Sequence, residues 1–201
     1  MLVTFLNDSE EARTLLKADP SLAPLFAKTE KVEFSTLDDH FLAFVQAIVG
    51  QQLSGKVAQS IYRRLEALFA GVVTPAKILG AERETLRQTG LSERKAEYLR
   101  SLAGLTEAGT IDFANMPAMS DHEILATMTK VKGIGRWSVE MFLLFSLCRR
   151  DFFPAVDLGI RYALRDLYGR DFSEKEALAL SEKWRPHRSL VTHYLWHYRE
   201  N

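Results

Sequence analysis

The chain has little cysteine, no excess charge of either sign and no long apolar run. Cys148 is the single cysteine among 201 residues, which excludes an internal disulfide, a four-cysteine iron–sulfur cluster and a cysteine-based zinc site. Lysine and arginine total 26, and so do aspartate and glutamate, which argues against a protein that coats nucleic acid through a globally basic surface. Any contact with nucleic acid must therefore be local.

Targeting and membrane signals are also missing. The start, MLVTFLNDSEEAR, has no cationic leader, and no later stretch approaches about 18 uncharged apolar residues. A reducing compartment suits a chain with one cysteine. We therefore expect a cytoplasmic protein.

Signals for helix starts recur along the chain, whereas strand-like alternation is hard to find. Capping boxes begin at Asp8, Ser120 and Ser173, and Thr74-Pro75 is typical of an N-cap followed by proline in the first turn. The predicted helices cover residues 8–18, 37–49, 54–69, 75–79, 82–88, 92–107, 121–130, 136–148, 158–168, 174–184 and 187–199. The predicted fold class is all-α, and the apolar helix 136–148 is expected to be buried.

The stretch VKGIGRWSVEMF, residues 131 to 142, combines bare backbone with basic side chains. Gly133 and Gly135 can take positive φ and expose main-chain N–H groups, and a helix starting near Arg136 adds further unpaired donors. The surrounding residues 130–170 have eight basic and four acidic side chains. This combination suits a phosphate, although a tight turn between helices remains the simpler alternative.

The stretch FFPAVDLGIRYALRDLYG, residues 152 to 169, contains a second candidate. Asp157 directly precedes the helix predicted from residue 158, so its simplest interpretation is an N-cap. Taken alone, capping is the better explanation because capping aspartates far outnumber catalytic ones.

Together, KGIGRW at 132–137 and FPAVDLGIR at 153–161 resemble the helix-hairpin-helix (HhH-GPD) DNA glycosylases, most closely the 3-methyladenine DNA glycosylase II group. The segments GQQLSGKVAQSIYRRL (50–65), GLSERKAEYLRSLA (90–103) and WRPHRSLVTHYLW (184–196) extend the resemblance over roughly residues 35–199. The chain resembles a compact form of the group without the N-terminal α/β domain of its typical bacterial member.

The resemblance implies two helical subdomains with the active-site cleft between them. We expect one subdomain to comprise about residues 1–50 and 150–201, and the other about residues 51–149, with the hairpin at 131–136.

The implied activity is hydrolysis of the N-glycosidic bond of alkylated purines such as 3-methyladenine and 7-methylguanine in duplex DNA, which initiates base excision repair. Asp157 matches the catalytic aspartate, whose charge stabilises an oxocarbenium-like sugar. Where many relatives have a second acid, this chain has Val156. Trp137 occupies the position of the lysine that strand-cleaving members use, so we expect no AP lyase activity.

The resemblance also assigns binding residues. Trp137 and Trp196 match aromatic walls of the base pocket and would attract cationic purines, with core packing as the alternative role. Gln51, Gln52 and Leu53 match the loop with the DNA wedge, and either Gln52 or Leu53 would intercalate. The expected phosphate contacts are Lys132, Gly133, Gly135 and Arg136.

The family further implies a structural Na⁺ or K⁺ held by the carbonyls of Thr129, Val131 and Ile134, and no other cofactor. His193 and His197 have the spacing of a helical metal pair, but no third ligand accompanies them, so a packed or solvated helix face is favoured. The expected partner is duplex DNA with alkylated bases, bound by a monomer that associates with the nucleoid of a bacterial-type cell.

Other functions remain open. A glycosylase for mismatched, deaminated or oxidised bases would use the same elements. A non-catalytic hairpin protein would bind DNA without needing Asp157 or the two tryptophans. In a helical protein–protein adaptor, the glycine hairpin and the basic segment would be coincidental.

Overall fold

A computed structural model describes residues 1–200, except for the side chain of residue 200. The described part of the chain is mainly helical, which agrees with the predicted fold class. Its α-helices are α1 Glu10–Ala18, α2 Ala23–Lys28, α3 His40–Gly50, α4 Gly55–Leu68, α5 Pro75–Gly80, α6 Arg83–Gln88, α7 Glu93–Glu107, α8 Asp121–Met128, α9 Arg136–Phe145, α10 Leu158–Tyr168, α11 Glu174–Ser181 and α12 Arg188–Glu200. Short 3₁₀ turns lie at Pro20–Leu22, Met116–Ala118 and Glu182–Trp184.

Local capping chemistry explains most helix starts. Ser120 and Ser173 each form a complete capping box, in which the serine hydroxyl accepts the third residue's N–H and that residue's carboxylate accepts the serine N–H. Thr74 caps α5 as predicted. The N-cap of α1 is Ser9 rather than Asp8, and its side chain accepts the Ala12 N–H.

The structure contains two strands and one helix that the sequence analysis did not predict. Strand β1 (Leu2–Leu6) pairs antiparallel with β2 (Lys31–Ser35), with Val3 opposite Phe34. Each strand has only five residues, and exposed Leu2 and Leu6 obscure the alternation in β1. Helix α2 has a proline in its first turn and only six residues, so its periodic pattern is too short to recognise.

The chain divides into two compact units. The terminal unit comprises Met1–Thr36 and the chain from Leu143 onward, and the central unit comprises Leu37–Phe142. Our sequence-based boundaries lay near residues 50 and 150. The difference concerns mainly α3, which packs against α4 and α7 and so lies in the central unit.

In the terminal unit, α12 packs against α2, α10 and β2. Its fully buried side chains include Trp184 and Tyr194. Asp19 is also buried, and its Oδ2 accepts hydrogen bonds from Trp184 Nε1 at 3.0 Å and from the Tyr168 hydroxyl. Lys183 Nζ lies 2.8 Å from the same oxygen, so the buried carboxylate is fully compensated.

In the central unit, α7 contacts α3, α5 and α6. Leu99, Leu102 and Ala103 of α7 are completely buried. Arg100 on the same helix donates to the carbonyls at the end of α5, which satisfies groups that a helix terminus leaves unpaired. Among all described residues, no helix combines the length and apolar character that crossing a bilayer requires.

Candidate active site

Asp157 caps α10 and also contacts α12. Its Oδ1 accepts the Ile160 N–H at 2.9 Å, which is the N-cap bond expected from the sequence. The same oxygen accepts the indole N–H of Trp196 at 3.2 Å. Donors from α10 and from α12 thus meet at one carboxylate oxygen and fix its position.

Gly159 gives the carboxylate its space. A Cβ built on Gly159 would lie 3.0 Å from Asp157 Oδ1 and 3.7 Å from Trp196 Cδ1. The first of these distances is shorter than a comfortable carbon–oxygen contact. The missing side chain therefore leaves room for Asp157 Oδ1 at the position where Trp196 contacts it, a role that the sequence analysis did not assign to Gly159.

Hydrogen bonds to the start of α12 hold the segment that leads to Asp157. The Ser189 hydroxyl accepts the Phe152 N–H at 3.0 Å, and its own proton points toward the carbonyls of Arg149 and Phe152. Arg188 Nε donates to Asp151 at 2.7 Å. No motif indicated these supports, because each joins residues about 40 positions apart and neither partner is unusual in its own segment.

Trp196 both packs and donates. Its ring stacks on Phe145 with centroids 5.5 Å apart and planes 18° apart, and it meets His193 edge-on at 5.6 Å. The packing interpretation therefore describes part of what Trp196 does. Its half-buried ring and its bond to Asp157 place it beside the carboxylate, and its role as a wall of the base pocket stays a prediction.

Trp137 lies in the first turn of α9 and is 53% exposed. Core packing is therefore not its role. The prediction of a buried helix over residues 136–148 is wrong at both ends. At the N-terminal end the first turn lies on the surface, although Val139 is fully buried, and at the C-terminal end the helix already stops at Phe145.

The glycine hairpin precedes α9. Ile134 N–H donates to the Val131 carbonyl at 3.1 Å, and Gly133 at the turn has φ +78°. A Cβ on Gly133 would overlap the Tyr98 ring at Cδ2, so both the positive φ and the close ring require glycine here. Gly135 has no positive φ and open space around it, so the expected conformational need applies to Gly133 only.

Both hairpin glycines are exposed, and their N–H groups meet no acceptor within the described part of the chain. The two basic residues beside them have carboxylate neighbours. Lys132 Nζ lies 2.6 Å from Glu97 Oε1, and the hydrogen bond from this lysine is the main cause of a lowered pKa of Glu97. Arg136 Nε donates to the buried Glu140 at 2.8 Å. The hairpin therefore offers an anion two kinds of donor: exposed main-chain N–H groups, and basic side chains that already have carboxylate neighbours.

The segment Gln51–Leu53, which we call the wedge loop, follows α3. Gln51 Nε2 donates to the Gly133 carbonyl at 2.9 Å, so this side chain connects the wedge loop to the hairpin. Gln52 has φ +57°, and both Gln52 and Leu53 are exposed. The two wedge candidates therefore stay accessible, whereas Gln51 is engaged within the protein.

The remaining candidate ligands are main-chain oxygens and histidines. Thr129, Val131 and Ile134 each have a neutral main-chain carbonyl, and that of Val131 already accepts one turn bond. A Na⁺ or K⁺ site at these carbonyls stays a prediction. His193 is buried and stacked on Phe34 at 4.5 Å, so it belongs to a packed helix face. Burial, followed by the charge of His197, lowers the pKa of His193 to about 3.

These features define a helix-hairpin-helix protein: a glycine hairpin before a helix, and a capping aspartate after the next loop. A sequence profile described as "HhH-GPD superfamily base excision DNA repair protein" matches residues 45–186. The chain belongs to this superfamily.

Individual relatives agree with this assignment. DNA-3-methyladenine glycosylase 1 of Schizosaccharomyces pombe is 36% identical over 157 residues, which cover 76% of this chain and 69% of the relative. A crystal structure of a DNA-3-methyladenine glycosidase from Bacillus halodurans superposes with a TM-score of 0.88 at 33% identity and covers 97% of this chain and 91% of its own. A Schizosaccharomyces pombe 3-methyladenine DNA glycosylase in complex with abasic DNA has a TM-score of 0.69 at 30% identity, with coverages of 94% and 91%.

Proposed function

We propose that this protein is a monofunctional DNA glycosylase that hydrolyses the N-glycosidic bond of alkylated purines in duplex DNA. The observation that supports this most directly is the placement of the Asp157 carboxylate between a helix N-terminus and the Trp196 indole, in a chain whose relatives are named 3-methyladenine glycosylases. The expected substrates are 3-methyladenine and 7-methylguanine. Release of the base would start base excision repair.

In this mechanism, Asp157 stabilises the sugar as it becomes positively charged. Cationic alkylpurines are good leaving groups, so the reaction needs no strong general acid to protonate the base. Water adds to the oxocarbenium-like carbon, and a carboxylate at this position can orient it and receive its proton. The donors on Oδ1 hold the carboxylate in one orientation before the substrate arrives.

The tryptophans would recognise the charge of the damaged base. Trp137 has an exposed indole, and Trp196 lies against the catalytic carboxylate. An electron-rich ring attracts a cationic purine more strongly than a neutral one. This preference favours alkylated bases over the mismatched or oxidised bases of the alternative substrate class.

The central unit would hold the DNA. The exposed N–H groups of Gly133 and Gly135 bind a phosphate without reading sequence, with Lys132 and Arg136 adding charge. Gln52 or Leu53 would fill the gap that the displaced nucleotide leaves. A monovalent cation held by the carbonyls of Thr129, Val131 and Ile134 would stabilise the hairpin and attract the phosphate.

Two further properties belong to the proposal. Trp137 cannot form a Schiff base with the sugar, so the protein would not cleave the strand. We also propose that it acts as a monomer at chromosomal DNA in the cytoplasm.

The decisive experiment incubates the protein with methylated duplex DNA and measures free bases by chromatography. Wild type should release 3-methyladenine and 7-methylguanine. Asp157→Asn should slow release by about a hundredfold or more while duplex binding persists, because it removes the charge that stabilises the transition state. Undiminished release by this variant would remove Asp157 from the mechanism.

Borohydride trapping tests the monofunctional assignment separately. We expect no covalent protein–DNA adduct. A trapped adduct would show that another amine in the chain attacks the sugar.

A further inference from the structure

Helix α7 contacts both DNA-binding segments of the central unit through one face. Lys95, Tyr98 and Ser101 are spaced three residues apart, so their side chains project from neighbouring positions on the helix. Lys95 reaches the end of α3 and the wedge loop, whereas Tyr98 and Ser101 reach the hairpin. The sequence analysis assigned no role to any of these three residues.

Lys95 makes the contact to the wedge loop. Its half-buried ammonium donates to the Val49 carbonyl at 2.8 Å and to the Gln51 carbonyl at 2.7 Å. These oxygens lie at the C-terminal end of α3, where a helix leaves carbonyls unpaired and favours a cation. Both bonds have a charged donor, which makes them stronger than ordinary hydrogen bonds.

The hairpin is attached to the same helix. Ser101 Oγ accepts the Lys132 N–H at 3.1 Å, and the Tyr98 ring lies directly against Gly133. The wedge loop and the hairpin also contact each other directly, because the Gln51 side chain donates to the Gly133 carbonyl. The wedge loop and the hairpin thus have a common support in α7, and Lys95 is the charged connection to the wedge loop.

On the basis of the proposed function, we propose that Lys95 is a positioning residue for base extrusion. Rotating a nucleotide out of the duplex costs a few kcal/mol, and the wedge must resist the return of the neighbouring bases. The side chains of Gln52 and Leu53 are exposed to solvent, so packing within the protein does not bury them. Lys95 supplies the resistance by holding the main chain from which they project.

The first test measures extrusion without chemistry, so both proteins compared in it, the chain with its natural Lys95 (wild type below) and Lys95→Met, also carry Asp157→Asn, which should slow release while duplex binding persists. A duplex with 7-methylguanine paired to cytosine has 2-aminopurine as the neighbouring base, whose fluorescence rises when stacking is lost. At saturating protein, wild type should brighten the probe, and Lys95→Met should lower the ratio of extruded to stacked lesion by about tenfold or more, since bonds from a charged donor are worth this factor. Equal brightening by both proteins, or none with wild type, would overturn the proposal.

The second test measures base release in single-turnover reactions on two duplexes. In one, 7-methylguanine pairs with cytosine; in the other it lies opposite a tetrahydrofuran abasic analogue, where extrusion costs less. Lys95→Met should lose about tenfold or more on the paired lesion and clearly less on the unpaired one. The same loss on both duplexes would show a merely structural role and would sink the inference. If wild type releases the base from neither duplex, the proposed function is refuted instead. The fluorescence test would then still show whether Lys95 supports extrusion.

Lys77→Met is the matched control. Lys77 Nζ also donates to a main-chain carbonyl in the central unit, that of Phe69 at 2.9 Å, but far from the wedge loop along the chain. This variant should have a similar effect on thermal stability and leave the ratio of the two release rates unchanged. Lys95→Arg should restore most of the paired-lesion rate. If Lys95→Met does not fold, Lys95→Gln replaces it in both tests. Glutamine keeps a polar side chain, but it is shorter and neutral, so the charged bonds to Val49 and Gln51 are still lost.

Discussion

The substitution Gly159→Ala should slow base release without destabilising the protein. The added Cβ would lie 3.0 Å from Asp157 Oδ1, so the carboxylate oxygen must move by a few tenths of an ångström. Its bond to Trp196 Nε1 is already 3.2 Å long and would approach the limit of about 3.5 Å at which such bonds fail. Losing one hydrogen bond to a charged group costs about 1.5–3 kcal/mol, which corresponds to roughly a ten- to hundredfold lower rate.

Stability should change less than the rate, because a gain in helix propensity opposes the loss of the bond to Trp196. Alanine is favoured over glycine within a helix by up to about 1 kcal/mol, and Gly159 lies in the first turn of α10. Gly104→Ala in α7 is the control, because a Cβ there meets nothing within 4 Å. It should raise the melting temperature and leave the rate unchanged.

The assay is single-turnover release of 7-methylguanine together with thermal unfolding of each variant. A wild-type rate for Gly159→Ala would refute the reasoning, since it would mean that the position of Oδ1 does not matter for the reaction. A low rate accompanied by a large loss of stability would point to a distorted helix start instead.

Two further predictions concern α12. Trp196→Phe keeps a ring to stack on Phe145 but loses the N–H that binds Asp157, so base release should slow by about tenfold with little change in melting temperature, as measured by the same assays. His193 has a folded pKa of about 3 against 6.5 unfolded, so its contribution to stability is present above pH 6.5 and is lost as the pH falls toward 3. The free energy of unfolding should therefore fall by up to about 1.4 kcal/mol per pH unit in this window. Denaturant unfolding at several pH values should show that this free energy depends less on pH in His193→Phe than in wild type.

Local signals allowed most of the fold to be predicted from the sequence. Capping boxes such as those at Ser120 and Ser173 act within four residues, so the sequence alone determines where those helices start. The β1–β2 pair depends on partners about 30 positions apart and on packing against α12, which no local pattern records. The membership of α3 in the central unit has the same cause, because its contacts with α4 and α7 are tertiary.

The residues of the candidate site also differ in whether the sequence reveals them. Asp157, Trp137 and the hairpin glycines lie in recognisable motifs. The supporting residues have ordinary local sequences, and their roles depend on their partners in the fold; they are Gly159, Ser189, Arg188, Lys95 and Tyr98.

The placement of Asp157 shows why its two interpretations were never true alternatives. An N-cap aspartate must hold one oxygen toward the helix start, and a carboxylate that stabilises a developing cation must likewise be held in one orientation. What separates an ordinary cap from this one is the second donor: Trp196 Nε1 reaches the capping oxygen from a different helix, in space that Gly159 leaves open. A cap alone gains nothing from that extra contact, since the bond to Ile160 already satisfies the helix. In the proposed mechanism the indole and Gly159 fix the orientation of the carboxylate, so their removal should affect the reaction more than the fold.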